Sequence, residues 1–495
     1  MHINSRLYRA EQVGELDRRA IVGHGEDHGI DGFELMQRAG AAVFGTIRAR
    51  YPEARNLVAC CGGGNNGGDG YIVASMAKNA GLQVRVIAMK NPEDLGGDAR
   101  KAADAWRDAG QPVSEPNGDL EVDVIVDALL GTGLDREVRD DYAALIDSIN
   151  ESDAVVVAVD VPSGLHADTG MPLGTTVRAD LTVSFIGRKR GLETGQAADF
   201  AGCVLFDDLD VPESVYHDLE PDARRISPAD VERVLPPRRP TTHKGALGHV
   251  LVCGGDWNMP GAVVLAARAA LTTGSGLVSV ATRREHSISL AGSLPEAMWA
   301  DGENGDTLDA LAARADVIAL GPGLGRSDWS HEVWRRLLKR DLPVVLDADG
   351  LNLLAEYGFE RENWILTPHP GEAARLLDSS TADIQRDRFV AVRALADRFN
   401  ATVVLKGAGS LIADPSGRVA VCPFGNPAMA TAGMGDALTG IVASVVGQTR
   451  VAGIDLFDAA CAGVVLHARA GDAAAENRRA ILAGELIGAL SRVLP

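Results

Sequence analysis

Two separate stretches of this sequence combine glycines with an aspartate in an arrangement suited to a phosphorylated ligand. The first is GGGNNGGDG at residues 62–70, and the second is AGMGDALTG at residues 432–440. Glycine lets the backbone approach a ligand closely, and free N–H groups at the start of a helix bind anions. Each stretch adds an aspartate, Asp69 or Asp436, beside that backbone. The sequence therefore predicts two sites for phosphate-bearing ligands on one chain.

Neither stretch is a standard nucleotide-binding loop. The first satisfies the dinucleotide pattern GxGxxG, but the acid expected about 20 residues later is absent, because the next predicted strand ends in Met89 and Lys90. Asn65 and Asn66 add side-chain oxygens that suit a hydrated ring or a monovalent cation. The second stretch lacks the lysine of a P-loop, although Asp436 is placed to deprotonate a hydroxyl beside a terminal phosphate.

Alternating strands and helices position both stretches. In the first half, apolar runs predict strands over 56–60, 84–89, 122–126, 154–159 and 181–185, with helices over 32–50 and 70–80. A proline-rich, charged stretch over 212–245 is interpreted as an inter-domain connection. A second series of strands follows over 250–253, 277–281, 317–320, 343–346, 364–366 and 402–405, and the chain beyond 437 is predicted to be mostly helical. This order predicts doubly wound parallel sheets.

Further polar residues follow the predicted strands. Asp127 and Asp160 each end a strand, and each is followed by a glycine-containing loop. His369 follows another strand, and Lys406 ends the last one. Ligands of open parallel sheets bind beyond the carboxyl ends of the strands, so these side chains are candidates for the two sites.

Length and composition limit the possible classes of protein. At 495 residues the chain is too long for one ordinary core, so two domains are expected. The net charge of −20 argues against nucleic acids and anionic membranes as partners. The first residues lack the basic and apolar zones of a secretory signal, which predicts a cytoplasmic enzyme. Small-molecule substrates and a homo-oligomer are expected.

Four segments of the first half carry a resemblance to a known family: LMQRAG (35–40), GGGNNGGDGY (62–71), VDALLGTGLDREV (126–138) and VDVPSGLHADTG (159–170). They resemble the NAD(P)H-hydrate epimerase family, which has a Rossmann-like domain. The resemblance covers roughly residues 7–210, and the NNGGDG loop is its most specific part.

This resemblance implies an inversion at C6 of a hydrated dihydronicotinamide ring. An acid–base group near C6 is required, and Asp160 is the candidate. A potassium ion is implied at Asn66, Asp127 and Ser163, since oxygen ligands suit a hard cation. The implied contacts to the hydrated nucleotide are Asn65, Asn66, Gly67, Gly68, Asp69, Gly131, Thr132, Gly133, Leu134, Asp135, Arg136, Glu137 and Asp160.

Seven segments of the second half occur in the order typical of another family: HKGALGHVLVCGG, NMPGAVVLAARAAL, GPGLG, VLDADGLN, TPHPGEAARLL, KGAGS and NPAMATAGMGDALTGI. Over roughly residues 226–495 they resemble ADP-dependent NAD(P)H-hydrate dehydratases, which are ribokinase-like. Ala428 stands where glycine is commoner, and Met434 where serine or threonine often occurs. The implied contacts are Ala262, Gly323, His369 and Asp436 to the hydrated nucleotide, and Lys406, Gly407, Ala408, Gly409, Ser410 and Gly435 to the adenine nucleotide.

The two resemblances predict an α/β protein with a Rossmann-like three-layer domain (residues 1–222) followed by a ribokinase-like α/β domain (residues 226–495). They imply a bifunctional repair enzyme that epimerises hydrated NADH or NADPH at C6 and dehydrates the S form. The dehydration would use ADP and Mg²⁺, with Asp436 as base and with AMP and phosphate as products.

Two alternatives remain open at this point. The second half could be a small-molecule kinase of the same superfamily, although TPHPGE together with NPAMATAGMGD favours a dehydratase. The first half could be a non-catalytic binding or oligomerisation module. Its retention of Asp127, Asp160 and the whole NNGGDG loop argues against that.

Overall fold

A computed structural model of the protein describes residues 3–25, 27–114 and 120–495. The chain forms two compact units, an N-terminal unit that ends at Arg224 and a C-terminal unit that begins at Arg225. Within the part of the chain that the structure describes, no helix is both long enough and apolar enough to cross a bilayer.

The N-terminal unit is a parallel sheet with helices on both faces. The strands of this sheet are β2 (Asn56–Cys61), β3 (Gln83–Ala88), β4 (Val113–Ser114), β5 (Val124–Ala128), β6 (Val155–Val159), β7 (Leu181–Phe185) and β9 (Cys203–Asp207). The short strands β1 (Arg6–Tyr8) and β8 (Arg188–Lys189) lie outside it, and β10 (Ala223–Arg225) spans the boundary between the two units. The α-helices of the N-terminal unit are α1 (Ala10–Val22), α2 (Gly32–Arg50), α3 (Asn65–Asn79), α4 (Gly97–Asp108) and α5 (Asp140–Glu151).

The strand order of the N-terminal sheet defines where a ligand can bind. Seven parallel strands run in the order β4-β3-β2-β5-β6-β7-β9. The order reverses between β2 and β5, as in a Rossmann sheet, and such a reversal opens a crevice beyond the carboxyl ends of those two strands. Leu57 and Ala59 of β2 pack in one core cluster with α1 to α4, whereas Val58 and Cys60 pack with α5 on the other face. The three-layer, Rossmann-like prediction is confirmed.

Helix α3 begins five residues before the predicted start at residue 70, so Asn65 to Asp69 form its first turn. Glycines and asparagines are poor helix formers, which is why the sequence favoured a loop there. Tertiary packing decides otherwise: a Cβ on Gly67 would lie 2.1 Å from the carbonyl oxygen of Gly62. The tight approach of the strand to the helix therefore requires glycine at position 67.

The C-terminal unit is a second α/β layer structure. Its strands are β11 (His249–Cys253), β12 (Leu277–Thr282), β13 (Met298–Asp301), β14 (Val317–Leu320), β15 (Val344–Leu346), β16 (Trp364–Leu366), β17 (Thr402–Leu405), β18 (Ser410–Ala413) and β19 (Val419–Cys422). Its α-helices are α6 (Pro228–Val234), α7 (Pro260–Thr273), α8 (Arg284–Leu290), α9 (Gly305–Ala312), α10 (Asp328–Leu338), α11 (Asp349–Tyr357), α12 (Pro370–Leu376), α13 (Thr381–Arg386), α14 (Arg388–Phe399), α15 (Met434–Thr449), α16 (Leu456–Ala475) and α17 (Ala483–Ala489).

The strands of the C-terminal unit are parallel through β13-β12-β11-β14-β15-β16-β17, and β18 and β19 follow as antiparallel strands. The sequence predicted every strand of this parallel series except β13, and it did not predict the last two strands. Each has only four residues, and the glycines between β17 and β18 are as typical of a ligand-binding loop as of a hairpin. Helices α7, α15 and α16 bury one face of this sheet in a large aliphatic cluster.

Part of the predicted inter-domain connection is ordered structure. Helix α6 lies within residues 212–245 and begins with a capping box between Ser227 and Asp230. Its Val231 and Val234 are buried in the core of the C-terminal unit. A helix of seven residues with two buried valines is too short to give a periodic hydrophobic pattern. The proline and charge content of residues 212–245 therefore favoured a linker in the sequence-based prediction.

Candidate active sites

The N-terminal unit contains a cavity of about 1200 Å³ at the carboxyl ends of its central strands. Residues that follow β2, β3, β5, β6 and β7 all line it, which is the crevice expected from the strand order. The predicted residues that line it are Asn65, Asn66, Asp69, Gly131, Thr132, Gly133, Leu134, Asp135, Arg136, Glu137 and Asp160. Gly67 and Gly68 are buried in the first turn of α3, behind this surface.

Asp127 and Ser163 form a buried polar pair next to the cavity. The Ser163 hydroxyl donates to Asp127 Oδ1 at 2.6 Å, and its backbone N–H donates to Oδ2 at 2.8 Å. Both residues are fully buried. Burial raises the pKa of Asp127 to about 6, although the hydrogen bonds from Ser163 oppose the shift. A carboxylate in such a place would be stabilised by a nearby cation.

Asn66, the third predicted ligand of the cation, lies against the loop that follows β5. Neither Oδ1 nor Nδ2 of its buried side chain has a hydrogen-bond partner among the described residues. A buried amide without partners is costly, so the side chain fits a role as ligand to a bound ion or substrate. Asn66 packs against Gly131, where an added Cβ would lie 3.3 Å from the Asn66 Cβ. The structure thus joins the glycine loop to the loop after β5.

Asp160 lies at the end of β6 in a left-handed backbone conformation, with φ of +66°. Asp is among the residues that tolerate this region, and such conformations are frequent at functional sites. The Ser184 hydroxyl and the Phe185 N–H donate to its Oδ1 at 3.2 and 3.3 Å. Lys189 forms an ion pair with the same oxygen. These contacts hold the carboxylate at the cavity surface.

Two more carboxyl groups line the cavity close to Asp160. Burial, reinforced by the charges of Asp160 and Asp17, raises the pKa of Asp69 well above its ordinary value. Burial likewise raises the pKa of Asp17 to about 6, with Lys189 opposing and Asp160 reinforcing the shift. Sequence reasoning missed Asp17 and Lys189. Asp17 is a charged residue on a helix and Lys189 is part of the basic run 188–190, and both features are ordinary on a protein surface.

In the C-terminal unit, Asp436 lies in the first turn of α15, where backbone N–H groups are free to bind an anion. Burial and the negative charge of Asp347 raise the pKa of Asp436 to about 7; Lys406 opposes this shift. A carboxyl that titrates near neutrality is suited to act as a general base at physiological pH.

Lys406 connects the predicted residues of this site. Its Nζ lies 2.6 Å from Asp347 Oδ1 and 3.7 Å from Glu372 Oε2. Burial favours the neutral amine, but the carboxylates of Asp347 and Glu372 outweigh it and raise the pKa of Lys406. A Cβ on Gly435 would lie 3.4 Å from both Lys406 Nζ and Asp347 Oδ2, so the backbone at the start of α15 borders this ion pair.

His369 belongs to the same network. It is the N-cap residue of α12, and its Nε2 lies 3.5 Å from Glu372 Oε1. Its side chain is 52% exposed, so the ring is accessible to a ligand. Thr439 also belongs to this network, because its hydroxyl donates to Asp347 Oδ2 at 2.7 Å. His369, Lys406, Gly435 and Asp436 therefore border a common region.

The remaining predicted residues fall into two groups. Residues 407–409 form the turn between the antiparallel strands β17 and β18, in which the Ser410 hydroxyl donates to the Gly407 carbonyl at 3.0 Å. Ala262 in the first turn of α7 lies against Gly323, where a Cβ would be 3.1 Å from the Ala262 Cβ. Asp347, Thr439 and Glu372 had no role assigned from the sequence, although Asp347 lies in VLDADGLN and Glu372 in TPHPGEAARLL.

The comparisons with known proteins first define a class for each half. Residues 32–191 match the family described as YjeF-related protein N-terminus, and residues 250–492 match the NAD(P)H-hydrate dehydratase family. A crystal structure of a ribokinase-like superfamily protein from Enterococcus faecalis is 26% identical, with a TM-score of 0.51, and covers 55% of this chain and 95% of that one. The predicted ribokinase-like fold of the second half is confirmed.

Full-length relatives then identify the combination. A bifunctional NAD(P)H-hydrate repair enzyme of Coxiella burnetii is 46% identical over 484 residues, which cover 97% of each chain. One from Escherichia coli K12 is 42% identical over 94% of this chain and 90% of that one. The chain belongs to the family of bifunctional NAD(P)H-hydrate repair enzymes, with an epimerase domain followed by a dehydratase domain.

Proposed function

We propose that this chain repairs hydrated NADH and NADPH in two steps. The N-terminal domain, residues 1–222, interconverts the R and S epimers at C6 of the hydrated ring. The C-terminal domain, residues 226–495, dehydrates the S epimer and converts ADP into AMP and phosphate. The observation that carries the proposal is Asp436, a carboxyl with a pKa of about 7 at the N-terminus of a helix and beside the half-buried Lys406.

The dehydration needs a better leaving group than hydroxide. Asp436 accepts the proton of the C6 hydroxyl, whose oxygen then attacks the terminal phosphorus of ADP, and AMP leaves. The lone pair of N1 next expels the phosphate from C6, and loss of a C5 proton restores the C5=C6 double bond. The free N–H groups at the start of α15 and the ammonium of Lys406 would stabilise the negative charge on the transferred phosphoryl group.

Contacts to the two substrates of the dehydratase are proposed on the same basis. His369, Ala262, Gly323 and Asp436 would contact the hydrated nucleotide. The exposed ring of His369 and the close packing of Ala262 on Gly323 support this part. The turn that contains Gly407, Ala408 and Gly409, together with Lys406, Ser410 and Gly435, would bind the adenine nucleotide.

We infer that Mg²⁺ accompanies the adenine nucleotide. No cluster of three or more His, Cys, Asp or Glu side chains within residues 3–25, 27–114 and 120–495 could hold a metal by itself. This fits Mg²⁺, which usually takes one or two carboxylates and completes its shell with water and phosphate oxygens. Asp347 and Asp349 are the nearby carboxylates that act electrostatically on Asp436. When bound, the ion would neutralise phosphate charge.

For the epimerase we propose a potassium ion at Asn66, Asp127 and Ser163. The partnerless side chain of Asn66 and the fully buried carboxyl of Asp127 support this site, since both gain from a hard cation. The residues on the cavity surface from 65 to 69 and from 131 to 137 would hold the hydrated nucleotide, with Asp160 as the acid–base group at C6.

A cytoplasmic location is supported by six free cysteines. A homo-oligomer stays a prediction that light scattering would test.

The test is incubation of the purified protein with ADP and the resolved S hydrate. The absorbance of the reduced ring should return in step with the release of equimolar AMP and phosphate. A small-molecule kinase would instead leave the ring hydrated. If ATP but not ADP supported the reaction, the co-substrate assignment would be wrong while the dehydratase assignment would stand.

A further inference from the structure

Lys189 is a buried cation at the epimerase cavity to which sequence reasoning gave no role. It ends the short strand β8, and its side chain is only 1% exposed. Its Nζ is paired with Asp160 Oδ1 and donates to the Phe185 carbonyl at 3.0 Å. Burying an ammonium is expensive unless it is paired, so the buried position of Lys189 depends on its ion pair with Asp160.

The contacts of Asp160 leave one of its oxygens for chemistry. Lys189, the Ser184 hydroxyl and the Phe185 N–H all reach Oδ1. No hydrogen bond to Oδ2 is made by the residues that the structure describes, and Asp160 lines the cavity. The carboxylate is therefore fixed through one oxygen, and the other remains for a substrate hydroxyl or a water molecule.

The charged neighbours of this pair are two carboxyl groups on different helices. Asp69 lies on α3 and Asp17 on α1, and both line the same cavity. Their pKa values are raised, mainly by burial, whereas Lys189 opposes both shifts. One lysine cannot neutralise three nearby carboxylates, so a proton is retained on Asp69. A site that holds two carboxyl groups in opposite protonation states has an acid and a base at once.

We propose that Lys189 is the positioning residue that fixes Asp160 through Oδ1 as the base of the epimerase, and that protonated Asp69 is its acid. This inference deepens the proposed epimerase function and rests on it. Asp17 completes the cluster and helps to keep the proton on Asp69.

The proton movements balance over one inversion. Asp69 gives its proton to the C6 hydroxyl, the C6–O bond breaks, water leaves, and the lone pair of N1 forms an N1=C6 iminium. A water molecule then attacks the opposite face of C6, and Asp160 accepts a proton from it. The product is the other epimer. A proton returns from Asp160 to Asp69 before the next inversion in the same direction, and the reverse reaction uses the same groups in reverse.

The test compares Lys189→Met with Lys189→Arg by measuring kcat/KM of epimer exchange in the full-length protein. Loss of the ammonium removes the partner that fixes Asp160 through Oδ1, so K189M should be roughly 100-fold slower. K189R retains the charge and should keep most of the wild-type rate. Asp69→Asn should lose roughly 10²- to 10⁴-fold in rate, as expected for a lost acid.

Two further measurements separate catalysis from folding. Dehydratase activity in the same chain should be unchanged in every variant. The double variant D160N/K189M should be no slower than D160N, because Lys189 acts through Asp160. A wild-type rate in K189M, a K189R variant as slow as K189M, or a double variant much slower than D160N would overturn the role of Lys189. Full activity of D69N would overturn the acid. A wild-type protein that exchanges no epimers would overturn the epimerase function itself.

Discussion

Replacement of Asp436 by asparagine should remove dehydratase activity and at the same time stabilise the C-terminal unit. The carboxyl has an ordinary pKa of 3.8 but titrates near 7 in the folded protein. As pH rises, the unfolded chain therefore loses its proton first, and folding becomes less favourable between these two values. At 1.36 kcal/mol per unit, the ionised group destabilises the fold by up to about 4 kcal/mol above pH 7, and by nothing below about pH 4.

Urea unfolding of Asp436→Asn at pH 8 and at pH 4 measures this effect. Five of the six tryptophans lie in the C-terminal unit, so their fluorescence follows it. The variant should gain up to about 4 kcal/mol at pH 8 and almost none at pH 4, while kcat falls roughly 10²- to 10⁴-fold. The exposed Asp341 provides a matched control, since D341N should change neither property. Equal stability changes at both pH values, or retained activity in D436N, would refute the reasoning.

Three other substitutions test separate parts of the two sites. Lys406→Met removes a charge that lowers the pKa of Asp436, so the rise of dehydratase rate with pH should move above pH 7; a profile like that of wild type would contradict this coupling. Asn66→Ala should abolish the dependence of epimer exchange on potassium without changing dehydration, as measured in potassium against choline chloride. Gly67→Ala places a Cβ 2.1 Å from a backbone oxygen and should impair folding or epimerisation strongly, whereas Gly64→Ala, with no atom within 4 Å, should be tolerated in the same thermal-melting and activity assays.

The fold was largely predictable because its signals are local. Apolar runs such as that of β2 are five or six residues long and end in glycine or aspartate, which marks both the strand and the polar edge of the sheet. The strand order was not predictable in this way, since it depends on long-range pairing such as that of β2 with β5. The predicted start of α3 was wrong for a related reason: glycines disfavour a helix locally, but packing requires them in its first turn.

The candidate sites were predictable only where a residue stands in a motif. Asp160 and Asp436 follow strands or begin helices, and their neighbours in the sequence indicate a ligand. Lys189 and Asp17 have no such context, and they join the epimerase cavity only because β8 and α1 meet there. Asp347 could not be predicted for the same reason. Its role at the dehydratase site depends on its ion pair with Lys406, which is 59 residues away in the sequence.

Complete repair of an equimolar mixture of the R and S hydrates tests the central claim most directly. With ADP and Mg²⁺, the wild-type protein should return all of the hydrate to the reduced cofactor in one continuous phase, because the epimerase supplies the S form as the dehydratase consumes it. Asp160→Asn should return the S half at the normal rate and the remainder only at the rate of spontaneous epimerisation. A wild-type protein that stops after half of the mixture, or a D160N variant that proceeds to completion at the wild-type rate, would contradict the account.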